Sequence, residues 1–251
     1  MWEEFSLVLV RNLRGTDIRM IADLFVTHLS IASNAYNTWN LFLDKELKFL
    51  RRFPSVKQVK KNLPKSMKTK NGKPKEIIKD VQVIIDCVDF RCEAPSLPAA
   101  QKQLYSAYYN DNTYKLLIGC TPNGCISYSS TLWSGSISDK EIVKKSGFIE
   151  CLSPGDVVMA DKGFVIRGDL ALKGCKLQIP PKLKGKTLKP RASTKARRVS
   201  NTRIHIERAI RRLETYRILT RIQKMTQKSY MESVVRVCIS LANLGNTLVS
   251  E

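Results

Sequence analysis

The chain has 251 residues and carries 43 Lys and Arg against 22 Asp and Glu, a net charge of +21. That length builds one large domain or a medium domain with a small one, and 43% hydrophobic residues suffice for a packed core. The charge points to a polyanionic partner, nucleic acid ahead of an acidic membrane surface, and no apolar run is long enough to span a bilayer.

Residues 1–50 read as helical. Glu3 and Glu4 precede a short apolar run, Phe5 to Val10, which does not make a secretory leader. Ile18, Ile21, Ala22, Leu24 and Phe25 fall at helix spacing, and after a short break a second helix runs from Ala35 towards Leu50. Two helices about a tight break fit a helix-turn-helix and fit a small packed bundle equally well. Residues 51–80 change character. They are crowded with Lys and Arg and interrupted by Pro54, Pro64 and Pro74, which reads as a basic linker with the charge for phosphate contact.

From Val81 onward the apolar runs predict strands over 81–90, 114–120, 124–133, 156–160 and 176–179. Thr121-Pro122-Asn123-Gly124 forms a turn between the second and third. Ser138 is placed to cap a helix over Asp139 to Lys145, with Asp139 and Glu141 favouring its first turn. Longer helices are expected over 202–219 and 229–244. A meander of three strands followed by alternating helix and strand gives a mixed α/β sheet of the RNase H-like kind, flanked by helices. The expected organisation is a helical, helix-turn-helix-like segment (1–50), the basic linker (51–80) and an RNase H-like domain (81–251).

Three acids stand out in that framework. Asp86 follows Val83-Ile84-Ile85, Asp161 follows Val157-Val158-Met159-Ala160, and Glu207 lies on a segment of helical period. Carboxylates among apolar residues are costly to bury without a partner or a metal. In an RNase H-like sheet the first strand is central and the fourth lies beside it, so Asp86 and Asp161 should meet, with Glu207 arriving from a later helix. Two Mg²⁺ (or Mn²⁺) held by such acids would activate a water or a 3′-hydroxyl at a phosphodiester. Asp89 should point to the other side of its strand, Asp156 reads as a turn residue, and Asp139 as a helix-start acid at the edge of the site. Glu207 also falls on a stripe with Arg203, Arg211 and Glu214, where a ladder of surface ion pairs is the competing use. His205 reads as a packed structural group. Trp133, Tyr105, Tyr108 and Tyr109 read first as core or loop anchors and second as platforms for unpaired bases.

No acid occurs between Asp169 and Glu207, an interval rich in Lys and Arg with Pro180, Pro181 and Pro190 in its middle. Lys182, Lys184, Lys186, Lys189, Arg191, Lys195, Arg197, Arg198 and Arg203, with Arg211 beyond, form a basic arm expected to lie along a DNA backbone. The arm would also serve as a nuclear localisation signal. The seven cysteines have no zinc-finger spacing and read as small apolar residues kept reduced.

IIDCVDF, YKLLIGCTPNGCISYSS, WSGSISDKEI, SPGDVVMADKGF, LQIPPKLKG and RIHIERAIRRLETYRIL, in that order over residues 81–248, resemble the DDE superfamily of transposases and their domesticated relatives, of the PIF/Harbinger type. The resemblance places the family's two catalytic aspartates on Asp86 and Asp161 and its glutamate on Glu207. It implies cutting of double-stranded DNA with divalent ions, strand joining by the freed 3′-hydroxyl, a nuclear location, a separate Myb-like DNA-binding partner and a homodimer. Relatives often carry threonine where this chain has Val88, and some begin with a zinc finger that this sequence lacks. The alternative is a domesticated DNA-binding or scaffold protein that no longer cuts. An RNA-binding structural protein stands third.

Overall fold

A computed structural model describes residues 2–69, 71–75, 78, 80–179, 204–223, 228–246 and 248. Three helices open the chain: α1 (Trp2–Arg14), α2 (Ile18–Leu24) and α3 (Leu29–Glu46). The Asp17 carboxylate caps α2 by accepting from the Arg19 amide at 2.9 Å. A 3-10 turn, Leu47–Arg51, ends the third helix, and the basic stretch that follows holds α4 (Val56–Lys61), opened by a capping box between Ser55 and Gln58.

The sheet is built around β1 (Val81–Arg91), which pairs antiparallel with β3 (Asp111–Cys120) and parallel with β6 (Val157–Met159). Strand β6 in turn pairs parallel with β7 (Lys176–Gln178). Along the other edge of β3 lie β2 (Tyr105–Ser106), β4 (Ile126–Ser129) and β5 (Trp133–Ser134). This is the mixed order expected for an RNase H-like sheet, with the first strand in the middle. Helix α5 (Pro98–Leu104) and β2 intervene between β1 and β3, where no element was predicted. The strand expected over 124–133 is two strands. Ser130 leaves the ladder to hold the Leu117 amide with its hydroxyl at 3.1 Å, and Leu132 turns into the core with its amide on Glu232 at 3.0 Å.

Helix α6 (Asp139–Lys145) carries the expected Ser138 cap, whose hydroxyl accepts from the Glu141 amide at 3.2 Å. Helix α7 (Arg167–Leu172) connects β6 to β7. Residues 204–214 form α8, and Lys228–Leu244 form α9. One face of the sheet, with Ile84, Val88, Phe90, Ile118 and Met159, packs on Ile206, Ala209 and Leu213 of α8 and on Val234, Val235 and Cys238 of α9. The opposite face, with Val83, Ile85, Leu117 and Val158, packs on Ile142 and Val143 of α6 and Leu170 of α7. Among the described residues no helix is long and apolar enough to cross a membrane.

Helix α8 stops earlier than the expected residue 219. Beyond 214 the backbone docks on the end of α1 instead, with the amides of Arg217 and Ile218 donating to the carbonyls of Leu13 and Asn12 at 3.1 and 3.2 Å. Gly15 makes that approach possible: it holds φ +64°, and a Cβ there would sit 2.8 Å from the Arg217 carbonyl carbon and oxygen.

The N-terminal helices pack as a small bundle whose core, from Leu7, Ile21, Ala32 and Tyr36, closes over Val237 of α9. Lys45 is the one basic residue of α3. The bundle is pinned to α9 by Asp44, whose carboxylate takes two bonds from Arg236 Nε and Nη2 at 2.9 and 2.7 Å and one from Arg51 at 2.7 Å. Burial pushes the Asp44 carboxyl up, but the hydrogen bonds and charges of Arg236 and Arg51 outweigh it and hold it below its ordinary value of 3.8. A depressed folded pKa contributes stability that is complete above the unfolded value and is lost as pH falls through the folded one. Acid titration followed by thermal unfolding should therefore show Tm falling below about pH 4. The fall should be shallower in Asp44→Asn, and equal slopes would contradict this role.

Candidate active site

Strand alternation decides which acids share a side. Along β1, Ile84, Val88 and Phe90 lie in the core beneath α8 and α9, so Asp86 lies on that face, while Val83 and Ile85 turn to the other. On β6, Met159 joins the same core as Ile84, whereas Val158 and, just past the strand, Ala160 join the opposite one. The parallel register is Ile84 opposite Met159. Strand β6 ends at Met159, and Asp161 follows two residues beyond it, as Asp86 follows two residues beyond Ile84.

Both aspartates are half-buried. Asp86 Oδ1 accepts from the Cys87 amide at 2.9 Å and Asp161 Oδ1 from the Lys162 amide at 2.7 Å. Asp161 also begins the turn that ends β6, in which the Phe164 amide returns to its carbonyl at 3.2 Å.

Helix α8 lies over this same face through Ile206, Ala209 and Leu213, and Glu207, next to Ile206, is exposed. Seven residues on, Glu214 reaches a cavity of about 160 Å³ shared with Val88, Asp89, Thr113 and Tyr109. The Tyr109 phenol there is pushed up, by burial first and by the nearby carboxylates of Asp89, Glu214 and Asp86 as well. Among the described residues no three His, Cys, Asp or Glu side chains are gathered tightly enough to hold an ion. Arg211 is exposed on α8. Lys182, Lys184, Lys186, Lys189, Arg191, Lys195, Arg197, Arg198 and Arg203 lie outside the described residues.

The far face of β1 carries a second polar group. Asp89 stands opposite Lys115 and accepts from the Thr113 hydroxyl at 2.8 Å, and burial raises its carboxyl against that bond and the Lys115 charge. Lys115 reaches Asp139 at 3.5 Å and donates to the Ile137 carbonyl at 3.0 Å. Asp139 extends under the turn after Asp161, where a Cβ on Gly163 would meet its Oδ2 at 3.3 Å. It also lies beside the Cys87 thiol, which burial first and Asp139 second hold well above the ordinary thiol range. The helix-start acid thus lies beside the Asp161 turn. Lys115 was not singled out from the sequence, and its one signal was a lone basic residue in an otherwise apolar strand.

His205 is 8% exposed and packed, as the sequence suggested, with burial and then Arg208 lowering its pKa. Asp156 is the expected turn residue, its carboxylate taking the Ser153 amide at 2.8 Å. Tyr105, Tyr108 and Tyr109 are 43%, 86% and 42% exposed and lie outside the core, with the Tyr105 hydroxyl donating to Asn110 at 3.4 Å and Tyr108 meeting Tyr109 edge-on, as loop anchors do.

Two aspartates side by side offer hard oxygen donors at one edge of a sheet, a donor set suited to Mg²⁺ or Mn²⁺ and not to a soft metal. A cationic protein with such a pair is equipped to act on phosphate esters. No curated protein and no solved structure matches the chain. A family model described as DDE superfamily endonuclease matches residues 85–243, a span that includes Asp86, Asp161 and Glu207.

Proposed function

Because the chain belongs to the DDE superfamily endonuclease family, we propose that it is a metal-dependent DNA endonuclease and transposase of the PIF/Harbinger type. The observation that supports this reading is the parallel pairing of β1 with β6, with Ile84 opposite Met159, since Asp86 and Asp161 each follow two residues after that pair. Asp86, Asp161 and Glu207 would hold the divalent ions, two by the chemistry of the donors. Bound there, the ions supply a nucleophile at neutral pH and stabilise the leaving oxygen.

The chain's own residues supply the rest. The amides of Cys87 and Lys162 each donate to one oxygen of the neighbouring aspartate. The Lys115–Asp139 pair lies beside the turn that follows Asp161. Arg211 and the basic arm ahead of Glu207 would neutralise the phosphates on either side of the cut, giving affinity and register without sequence choice. Attack of water oxygen on phosphorus breaks the P–O3′ bond, and the departing oxygen leaves as a 3′-hydroxyl. That hydroxyl then attacks a phosphodiester of target DNA, expelling its own 3′-oxygen. A nuclear location, a Myb-like DNA-binding partner and a homodimer complete the proposal.

The test is nicking of supercoiled plasmid by the full chain, with Mg²⁺ or Mn²⁺ and with a chelator. Relaxed circles that form with either metal and vanish on chelation support the reading. Tight plasmid binding without cutting in either metal, with the DNA-binding partner supplied, would replace it with the domesticated binding protein.

A further inference from the structure

A cleft of about 520 Å³ opens at the far edge of the sheet, between β4, the 3-10 turn Leu47–Arg51 and α9. Lys48, Arg51, Arg52 and Arg236 line it, and among its described lining residues there is no carboxylate. Asp44 lies behind two of these cations and neutralises only part of their charge, since Arg51 and Arg236 share that one carboxylate, while Glu232 stands 3.8 Å from Arg236. The floor holds an unusual group: Ser127 is 3% exposed, and its hydroxyl has no hydrogen-bond partner. The Arg51 Nε is likewise buried and unpartnered. Buried donors without acceptors are costly to leave unmade, so two of them lining one cationic cleft call for an acceptor from outside. At the rim Phe49 presents a 66% exposed ring beside Lys48.

We propose that this cleft binds a backbone phosphate of the DNA strand that the aspartate site cuts, held between Lys48 and Arg52 with the Ser127 hydroxyl donating to it. The proposal rests on the reading of DNA as substrate. An anionic oxygen takes hydrogen bonds from both a hydroxyl and a guanidinium, and the surplus of cations favours a ligand that brings negative charge. The cleft is wide enough for the sugar as well, and the exposed Phe49 ring offers a stacking surface for a neighbouring base. Its position suits the same strand. Ser129 stands opposite Ile118, and Ile118 opposite Asp86, so the near wall is two strand spacings, about 10 Å, from the aspartate row. That is the reach of a few nucleotides at about 3.4 Å rise each.

The test is fluorescence anisotropy of a labelled duplex DNA at several salt concentrations without divalent metal, so that binding is read apart from cutting. Lys48→Glu/Arg52→Glu should weaken binding at least about tenfold and lower the salt slope by about one, for the single phosphate left without its cations. A matched double reversal at exposed sites elsewhere, Arg19→Glu/Lys102→Glu, should move affinity less than about threefold on the same scale. Ser127→Ala should weaken binding several-fold without lowering Tm, because it removes a hydroxyl that nothing in the fold satisfies; a purely structural serine would move Tm and not binding. Inorganic phosphate measured by calorimetry separates the sources. Micromolar binding of free phosphate abolished in Lys48→Glu/Arg52→Glu, with DNA affinity unchanged, would overturn the proposal in favour of a small-anion site. Equal DNA binding by the cleft and control variants would overturn it outright. Plasmid nicking is unaffected by that result, whereas a nicking failure with the cleft effect intact would count against the catalytic reading alone.

Discussion

Asp86→Asn and Asp161→Asn should each reduce metal-dependent plasmid nicking at least about a thousandfold, equivalent to ~4 kcal/mol of transition-state stabilisation. An amide has the volume of the carboxylate it replaces but neither its charge nor its affinity for a hard cation. Both side chains are half-buried at the edge of the core, so the exchange leaves the packing of Ile84, Val88 and Met159 intact. DNA affinity should stay within a few-fold of wild type, because phosphate binding belongs to the basic residues. Glu207→Gln measures the third position. A loss as large as that of the aspartates places it among the metal ligands, and a change below about tenfold makes it part of the charge ladder on α8 instead. Asp89→Asn is the matched control, since it lies on the opposite face in a bond with Thr113 and should leave nicking within about threefold. Wild-type rates from Asp161→Asn would remove the catalytic proposal, whatever the other variants did.

The second large effect concerns the fold. Asp44→Ala should cost about 3–5 kcal/mol, because it leaves the Arg51 and Arg236 guanidiniums facing each other without their shared counter-charge. For a chain of this length that is a fall of roughly 6–20 °C in Tm. The Asp44 side chain is only 15% exposed, so solvent screens the loss little. Asp80→Ala supplies the contrast. Its bond to Lys60 at 3.3 Å joins two side chains about half exposed, and its removal should change stability by less than about 1 kcal/mol. Denaturant titration of both variants checks the pair. A cost for Asp44→Ala as small as that for Asp80→Ala would mean that the bundle and α9 hold together through apolar contacts alone.

The sequence was most legible where the determining physics is short-range. Ser138 fixed α6 to the residue, because a cap and the first-turn acids lie within four positions of one another. Thr121 to Gly124 turned the chain as expected, with Gly124 at φ +90°. Asp86 and Asp161 stood out because a carboxylate interrupts an otherwise apolar run. Period-two alternation puts Asp86 on the face that carries Ile84, and Asp161 follows two residues after Met159 of that same core. That Asp89 looks the other way followed from the same period.

What lay beyond local reading required partners distant in the chain. Asp44 meets Arg236 across 192 positions, and nothing in either helix announces the other. The same holds for Gly15 against Arg217, which ends α8 before its periodicity does. Ser130 and Leu132 broke a continuous strand because β3 and Glu232 claimed their groups. Asp139 was readable as a helix-start acid, but its reach to Gly163 and Lys115 belongs to the packing of three separate elements. The cationic cleft likewise exists only where the end of α3 meets the sheet edge. By itself the sequence determined the periods, caps, turns and the charged identity of the site. The tertiary structure alone decided which faces and charges meet, because contact energy depends on distances that chain separation does not encode.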